Sequence, residues 1–470
     1  MIVAVALDLG TTAIKAGLLS QDGTLGGVIS RPAPEIAVDG GHYESDAAEY
    51  AEVADAVLAA CVAQTGVRPP LGLCSQRSSF LIWERASGRP VTPLISWQDD
   101  RGADSCVVLH HQEGAIRELS GLPLTPYYLA PKLRVLLCQH PSWRERLLCG
   151  EWLLGTLDTF LVWRWTGGKH HLTDVSMAAR TLLMDIHSRQ WSPELCNLFG
   201  IPQQVLPQIR PSAGLGLHLK NGLVLQASVG DQSAALVSDI ASGRPEALVN
   251  LGTGGFIVCS LPEGRRMPDG YLRTLVWQDG MRRVHLACEG TLDSIAAALA
   301  PYPVEACRVE DLASDDILCL AEPSGLGAPY FRSDLGVIFS ESIEFLPPQR
   351  IALLLQEGII FRVARILEDF RREFGIECAY LSGGLANLPC LQQGIAQCVP
   401  LATYRLPQTE ASLSGAARLA AGIPFAGGSN AEKIEVRQAA PGLPAKYVRW
   451  KGWLDELLNS RLSGLGRQIL

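Results

Sequence analysis

A chain of 470 residues outgrows a single ordinary hydrophobic core, so two large domains are expected. Its 47% apolar and 19% charged residues exclude a disordered chain. The net charge of −8 excludes nucleic acid as a main partner, because a phosphate backbone calls for a basic surface.

The opening MIVAVALDLG has no basic stretch and reaches Asp8 too early for a secretory signal. No apolar run approaches the roughly 20 residues that span a bilayer. No membrane partner is therefore expected, and the location expected is cytoplasmic. The thirteen cysteines fit that compartment as reduced thiols, since their number is odd and no C-x-x-C pair occurs. Cys61, Cys74, Cys259 and Cys288 sit in apolar runs, where cysteine acts as a small buried hydrophobe. The nine histidines show no metal-ligand spacing, and the pairs His110-His111 and His170-His171 are expected at the surface.

One pattern occurs twice. Residues 5–19 read VALDLGTTAIKAGLL and residues 247–261 read ALVNLGTGGFIVCSL. Each is an apolar run, then Asp8 or Asn250, then Leu-Gly-Thr, then a second apolar run, which predicts two strands joined by a tight turn. Glycine lets backbone N–H groups approach an anion, and threonine hydroxyls add donors. A single such turn is an ordinary hairpin. Two, one per half, suggest a phosphate chain gripped between related domains.

Between the repeats, Ser45 is placed to cap a helix over about 46–64, with Tyr50, Val53, Ala54, Val57, Leu58 and Cys61 as its apolar stripe. Strands are predicted at 71–75, 80–84 and 92–101, and helices near 103–117, 131–139 and 151–165. Residues 223–243 read as strand, acidic turn and helix. A hinge is expected between Val237 and Pro245. In the second half a long amphipathic helix is predicted over about 349–373, and 378–399 reads as strand, glycine turn and helix. Residues 421–430 form a Gly/Pro-rich exit. The domains expected are thus 1–240, 241–430 and an appendage over 431–470. The mixture of strands and helices implies an α/β layered fold.

None of the seven lysines follows a G-x-x-x-x-G, so a P-loop is absent. Phosphates would instead meet the two hairpins, with Lys15 behind the first. Asp8 suits Mg²⁺ held through water, or simply ends a strand. Ser382-Gly383-Gly384, with Asn387 after it, is a strand-to-helix turn that suits a phosphate or a flat ring, although most such turns only connect elements. Asp231, in Gly230-Asp231-Gln232, either caps a helix or accepts a proton from a substrate hydroxyl. Gln232 would orient the same substrate. Arg77, Trp97, Tyr127 and Phe256 together offer a guanidinium and flat apolar walls, as in many polyol sites.

With these residues assembled, the chain resembles the FGGY carbohydrate kinases over about residues 3–425, and within them the branch acting on glycerol. The resemblance rests on ALDLGTT, Trp97-Gln98-Asp99, GTLDTFLVWRWTGG (155–168), Thr173-Asp174, Ala179-Arg180-Thr181, GDQSAAL (230–236), NLGTGGF (250–256), Glu289-Gly290, GLGAPYF (325–331) and SGGLAN (382–387). It implies two actin-like, ribonuclease-H-like ATPase domains around Mg-ATP. By likeness Asp8 belongs to the metal site. Gly10, Thr11, Thr12, Lys15, Thr253 and Gly254 lie at the phosphates, and Gly383, Gly384 and Asn387 at the nucleoside. Asp231 is the base, and Arg77, Trp97, Tyr127, Gln232 and Phe256 match positions that contact glycerol. Ser78 departs from the pattern, standing where glycerol kinases carry glutamate, which removes an acceptor for a substrate hydroxyl and leaves space. Val135 stands where the pattern prefers tryptophan, and Ser340 replaces a glycine.

The implied activity is transfer of the γ-phosphoryl of Mg-ATP to a hydroxyl of a small, glycerol-like polyol. A ketose or larger sugar alcohol (xylulose, ribulose or sedoheptulose type) and a non-catalytic nucleotide-binding sugar sensor are the alternatives. A homodimer is left open.

Overall fold

The computed structural model describes residues 1–239, 243–262, 264–407, 410–423, 431–436 and 440–460. It divides into two bodies, one of Met1–Ser238, Thr274–Leu286 and Glu410–Phe425, the other of Asp239–Arg273, Ala287–Thr409 and Ala426–Leu470. The expected hinge includes 240–242, and the expected exit includes 424–430; both stretches lie outside the described residues.

The first body is built on a six-stranded sheet. Its spatial order is Ala213–His218, Val224–Gly230, Leu71–Ser75, Ile2–Leu9, Ala13–Ser20 and Leu25–Pro32. Ile2–Leu9 pairs antiparallel with Ala13–Ser20 and parallel with Leu71–Ser75, which in turn is parallel to Val224–Gly230. Alternate residues of the first strand serve opposite faces, as the two-residue period of a strand requires. Val5, Leu7 and Leu9 pack with Tyr50, Ala54, Val57 and Leu58 of the helix Ala47–Val62. Ala4 and Ala6 pack with Leu413, Ala416 and Ala417 of the helix Ala411–Ala421. A strand covered on both faces reads as a continuous apolar run, which explains VAVAL.

Small residues let the second of these helices lie close. A Cβ on Gly72 would stand 2.1 Å from the Ala416 carbonyl oxygen, and one on Gly415 would stand 1.8 Å from that of Ala234. An antiparallel five-stranded sheet, from Ala37–Asp39 to Trp152–Thr156, carries a further layer of helices between residues 103 and 148.

The second body repeats the pairing rule. Glu246–Leu251 is antiparallel to Gly255–Leu261 and parallel to Cys378–Ser382, and the latter is parallel to Ala402–Arg405. The 27-residue helix Pro348–Phe374 covers it and ends at Gly375, whose φ of 70° suits a glycine stop. The described part of 431–460 holds the helix Leu443–Asn459, whose Leu443, Tyr447, Trp450 and Leu454 are buried in this body's core. Each such side chain contributes about 1.5–3 kcal/mol of burial. The architecture is therefore α/β, two sheets each with a hairpin feeding a parallel pair.

Several local expectations are corrected. Asp46, not Ser45, caps the first helix, its side chain accepting from the amides of Ala48 and Glu49. Only Leu94–Ile95 of the 92–101 stretch pairs as strand. The helix expected over 151–165 begins as the strand Trp152–Thr156 and is helical only from Leu157 to Trp165. The 103–117 stretch is broken into Ala103–Leu109 and Glu113–Ser120 by a tighter turn.

His171 is half-buried rather than fully at the surface. Its ring stands edge-on to Trp83 at 5.8 Å, and Nε2 donates to the Leu154 carbonyl at 2.8 Å. Burial lowers its pKa to about 4. Among the described residues no helix is long and apolar enough to cross a membrane, and all thirteen cysteines are unpaired.

Candidate functional site

The first hairpin turns at Gly10-Thr11-Thr12. A Cβ on Gly10 would stand 2.7 Å from the Ala13 carbonyl oxygen, so the turn is too tight for a side chain there. The Gly10 carbonyl accepts from the Tyr50 hydroxyl at 2.6 Å. Thr11 Oγ1 receives the Trp97 indole N–H at 2.9 Å and donates to Gln76 Oε1 at 3.3 Å. Thr12 is exposed at the tip.

Asp8 stands opposite Lys15 in the strand register. Its Oδ1 is buried and has no hydrogen-bond partner. Loss of hydration, and then the negative charge of Asp231, push its carboxyl up to about 7. Lys15 Nζ meets both carboxylate oxygens of Glu410 at 2.8 Å. Among the described residues no three His, Cys, Asp or Glu side chains form a metal cage. An orphaned carboxylate oxygen with a second carboxylate near it fits a hydrated divalent ion, since Mg²⁺ keeps most of its own waters.

Asp231 follows the strand Val224–Gly230, which lies parallel to Leu71–Ser75; that strand runs out into Gln76, Arg77 and Ser78. Two neighbouring parallel strands thus deliver Asp231 and Arg77 side by side. Gly230 is required between them, because a Cβ there would stand 2.8 Å from Arg77 Cδ. Arg77 Nε lies 3.4 Å from Asp231 Oδ1, and its Nη2 donates to Gln232 Oε1. The Gln232 amide donates to Asp231 Oδ1 at 2.7 Å.

The Asp231 side chain keeps 32% exposure. Burial of its surroundings raises its carboxyl above the ordinary value, against the opposing pull of Arg77 and Arg180. The motif Thr173-Asp174 acts from behind. Asp174 Oδ1 accepts from Ser176 Oγ, which accepts from the Gly230 amide at 2.8 Å.

Trp97 and Tyr127 place their rings 5.4 Å apart. Ser78 is fully buried at φ 65°, and its hydroxyl donates to the Arg180 carbonyl at 3.0 Å, so the side chain is already engaged.

In the second body, Asn250 is paired with Phe256 across the hairpin, and the Gly252 amide closes the turn on the Gly254 carbonyl at 2.8 Å. A Cβ on Gly254 would stand 2.9 Å from the Leu292 carbonyl oxygen. The Thr253 carbonyl accepts from the Ala296 amide. Gly383, at φ 91°, passes so close to the end of the hairpin strand that a Cβ would stand 2.3 Å from the Leu251 carbonyl oxygen. Asn387 is exposed, and its Nδ2 donates to the Gly384 carbonyl at 3.3 Å. Thr253, Gly254, Gly383, Gly384 and Asn387 are thereby gathered at strand ends of one sheet.

The GLGAPYF segment and strand end 291–293 hang on a buried ion pair. Arg362 Nε lies 2.6 Å from Glu322 Oε1, and both are at most 1% exposed. Glu322 Oε2 accepts from the amides of Asp293 and Gly327, and Arg362 Nη2 donates to the carbonyls of Thr291 and Ala328.

Sequence reasoning missed Tyr50, read only as apolar stripe, and Glu410, which carries no motif.

Residues 3–230 match the FGGY family of carbohydrate kinases, N-terminal domain, and residues 247–422 match the C-terminal domain of the same family. The chain is 32% identical to a glycerol kinase of Rhodopirellula baltica, with 97% of this chain and 90% of that protein covered. In fold it is similar to a Plasmodium falciparum glycerol kinase solved with ADP (TM-score 0.83, 21% identity, 97% of this chain and 99% of that one). It is also similar to a xylulose kinase of Rhodospirillum rubrum (TM-score 0.77, 19% identity, 96% and 98%).

Proposed function

We infer the reaction from a premise that the comparisons establish: the chain belongs to the FGGY family of carbohydrate kinases, ATP-using phosphotransferases with an alcohol acceptor. The acceptor assigned is a small polyol of glycerol type. The observation that carries this reading is the Asp231 carboxylate, part exposed and 3.4 Å from Arg77, in a chain about a third identical to a glycerol kinase along nearly its whole length.

Asp231 takes the proton of the acceptor hydroxyl as that oxygen bonds to the γ-phosphorus; the bond from phosphorus to the bridging oxygen breaks, and ADP leaves. Arg77 and Gln232 hold the acceptor's other hydroxyls, and Trp97, Tyr127 and Phe256 line its carbon skeleton. Gly10, Thr11, Thr12, Thr253 and Gly254 offer amides and hydroxyls to phosphate oxygens. Lys15 reaches them only by leaving Glu410. Gly383, Gly384 and Asn387 take the nucleoside. Mg²⁺ fits at Asp8, where it supplies charge neutralisation at the phosphates. A kinase drawing on cellular ATP works in the cytoplasm.

A ketose acceptor stays in view because Ser78 provides no carboxylate for a second glycerol hydroxyl. A panel of glycerol, erythritol, xylulose, ribulose and sedoheptulose with ADP release as readout tests the assignment. Turnover highest on glycerol or erythritol is expected. Strong turnover on a five-carbon ketose with none on glycerol would replace the acceptor and keep the kinase.

A further inference from the structure

Lys132 lies in the helix Leu129–Gln139, among Leu129, Ala130, Leu133 and Leu136, and is fully buried. A buried ammonium is costly unless its hydrogens are satisfied. Among the described residues no carboxylate does so: nearby Asp99 is occupied by Arg101, at 2.7 and 2.8 Å, and by the Tyr43 amide. Lys132 Nζ donates instead to two consecutive carbonyls, Ser96 at 2.8 Å and Trp97 at 3.3 Å. Desolvation accordingly lowers its pKa to about 7.

The peptide it grips is held elsewhere as well. The Trp97 amide donates to Ser79 Oγ at 3.0 Å, and Ser79 Oγ donates to Gln76 Oε1. The Trp97 indole N–H goes to Thr11, which donates to that same Gln76 oxygen. Gly102 closes the segment against the helix, since a Cβ there would stand 2.8 Å from Pro131 Cβ. Trp97 is thus clamped at carbonyl, amide and indole, with its ring beside Tyr127.

We propose that Lys132 is a positioning residue for the acceptor alcohol, fixing the Trp97 peptide so that one indole both walls the acceptor subsite and supports Thr11 of the phosphate hairpin. The proposal rests on Trp97 lining the acceptor subsite, as assigned above. Lys132 touches no reacting atom; its effect passes through Trp97.

The test is Lys132→Met, which matches the stem in length, removes the ammonium and takes this donor from the Trp97 carbonyl, while the Ser96 carbonyl keeps the Asp99 amide at 3.2 Å. Losing the donor to a buried carbonyl costs stability, while losing a buried charge offsets part of that cost, so the melting temperature should fall by only about a few degrees. The acceptor KM should rise about tenfold or more, because small misplacements near reacting groups are expensive. The change in kcat should stay under about threefold, and ADP affinity should be retained. In a Trp97→Ala background the Lys132→Met effect on acceptor KM should vanish, since residues in one chain of contacts are not additive.

An acceptor KM within about twofold of wild type, or effects of the two substitutions that multiply, would overturn the proposal. If Lys132→Met does not fold, Lys132→Gln is read the same way, its shorter, neutral side chain being unable to reproduce the grip on both carbonyls. Failure of the underlying assignment is distinguishable: wild type would then release no ADP in response to any acceptor, and this proposal would fall with it.

Discussion

The two Leu-Gly-Thr hairpins share a backbone pattern and differ in what stands behind them. The first carries Asp8, a half-buried side chain whose Oδ1 is buried and unpartnered, and its turn is braced by side chains: Tyr50 on Gly10 and Trp97 on Thr11. The second carries Asn250 in the matching place, closes on itself through the Gly252 amide, and leans on a strand end held by Arg362 and Glu322. A repeated hairpin is therefore a repeated scaffold whose chemistry depends on the neighbours each copy recruits. At the matched position itself the first hairpin carries a carboxylate, Asp8, and the second an amide, Asn250.

The sharpest way to break this contrast is at the matched pair. Asp8→Asn should lower kcat by about 10²–10³-fold, the scale for losing one electrostatic group at a transferring centre. Asn250→Ala should change it less than about tenfold. Equal losses in steady-state assays would erase the distinction between the hairpins.

Support of the second hairpin is probed by Arg362→Met. Glu322 would be left as an unpaired buried carboxylate, at a cost of about 3–5 kcal/mol. Urea unfolding followed by hydrogen exchange should show that loss in strands Glu246–Leu251 and Gly255–Leu261, while Ile2–Leu9 stays protected.

Acid offers a probe of one residue of the first body, His171. The pKa of His171 is about 4 in the folded chain against an ordinary 6.5. Between those values the unfolded chain binds the extra proton, so the His171 contribution is full above pH 6.5 and is lost as pH drops to 4. The loss is about 3 kcal/mol, and His171→Phe should flatten it in denaturant titrations at pH 7, 5.5 and 4.

How much of this was legible in the sequence follows from the range of the forces involved. The hairpins, the strand ending at Gly230-Asp231 and the helix Pro348–Phe374 announce themselves through local periodicity and glycine. Trp152–Thr156 was hidden because an unbroken leucine-rich run suits a buried strand and a helix equally, and its pairing partner, Phe80–Glu84, is some seventy residues away. Ser45 lost the cap to Asp46, an equally good capping residue one place on. His171 looked solvated because its partners Trp83 and Leu154 are distant in the chain.

The same limit governs the candidate site. Asp8, Arg77, Trp97 and Asp231 belong to compact motifs, whereas Glu410 reaches Lys15 across 395 residues and Lys132 reaches Ser96 across 36. Buried polar contacts of that kind have no sequence period. A lysine amid leucines is their only trace, and it is visible at Lys132.

The central claim is that the carboxylate between Arg77 and Gln232 accepts the acceptor's proton. Single-turnover phosphoryl transfer by Asp231→Asn, with ADP affinity measured on the same sample, tests it most directly. The account predicts a rate about 10²–10⁴-fold below wild type with ADP affinity intact. A rate within about threefold of wild type would contradict it.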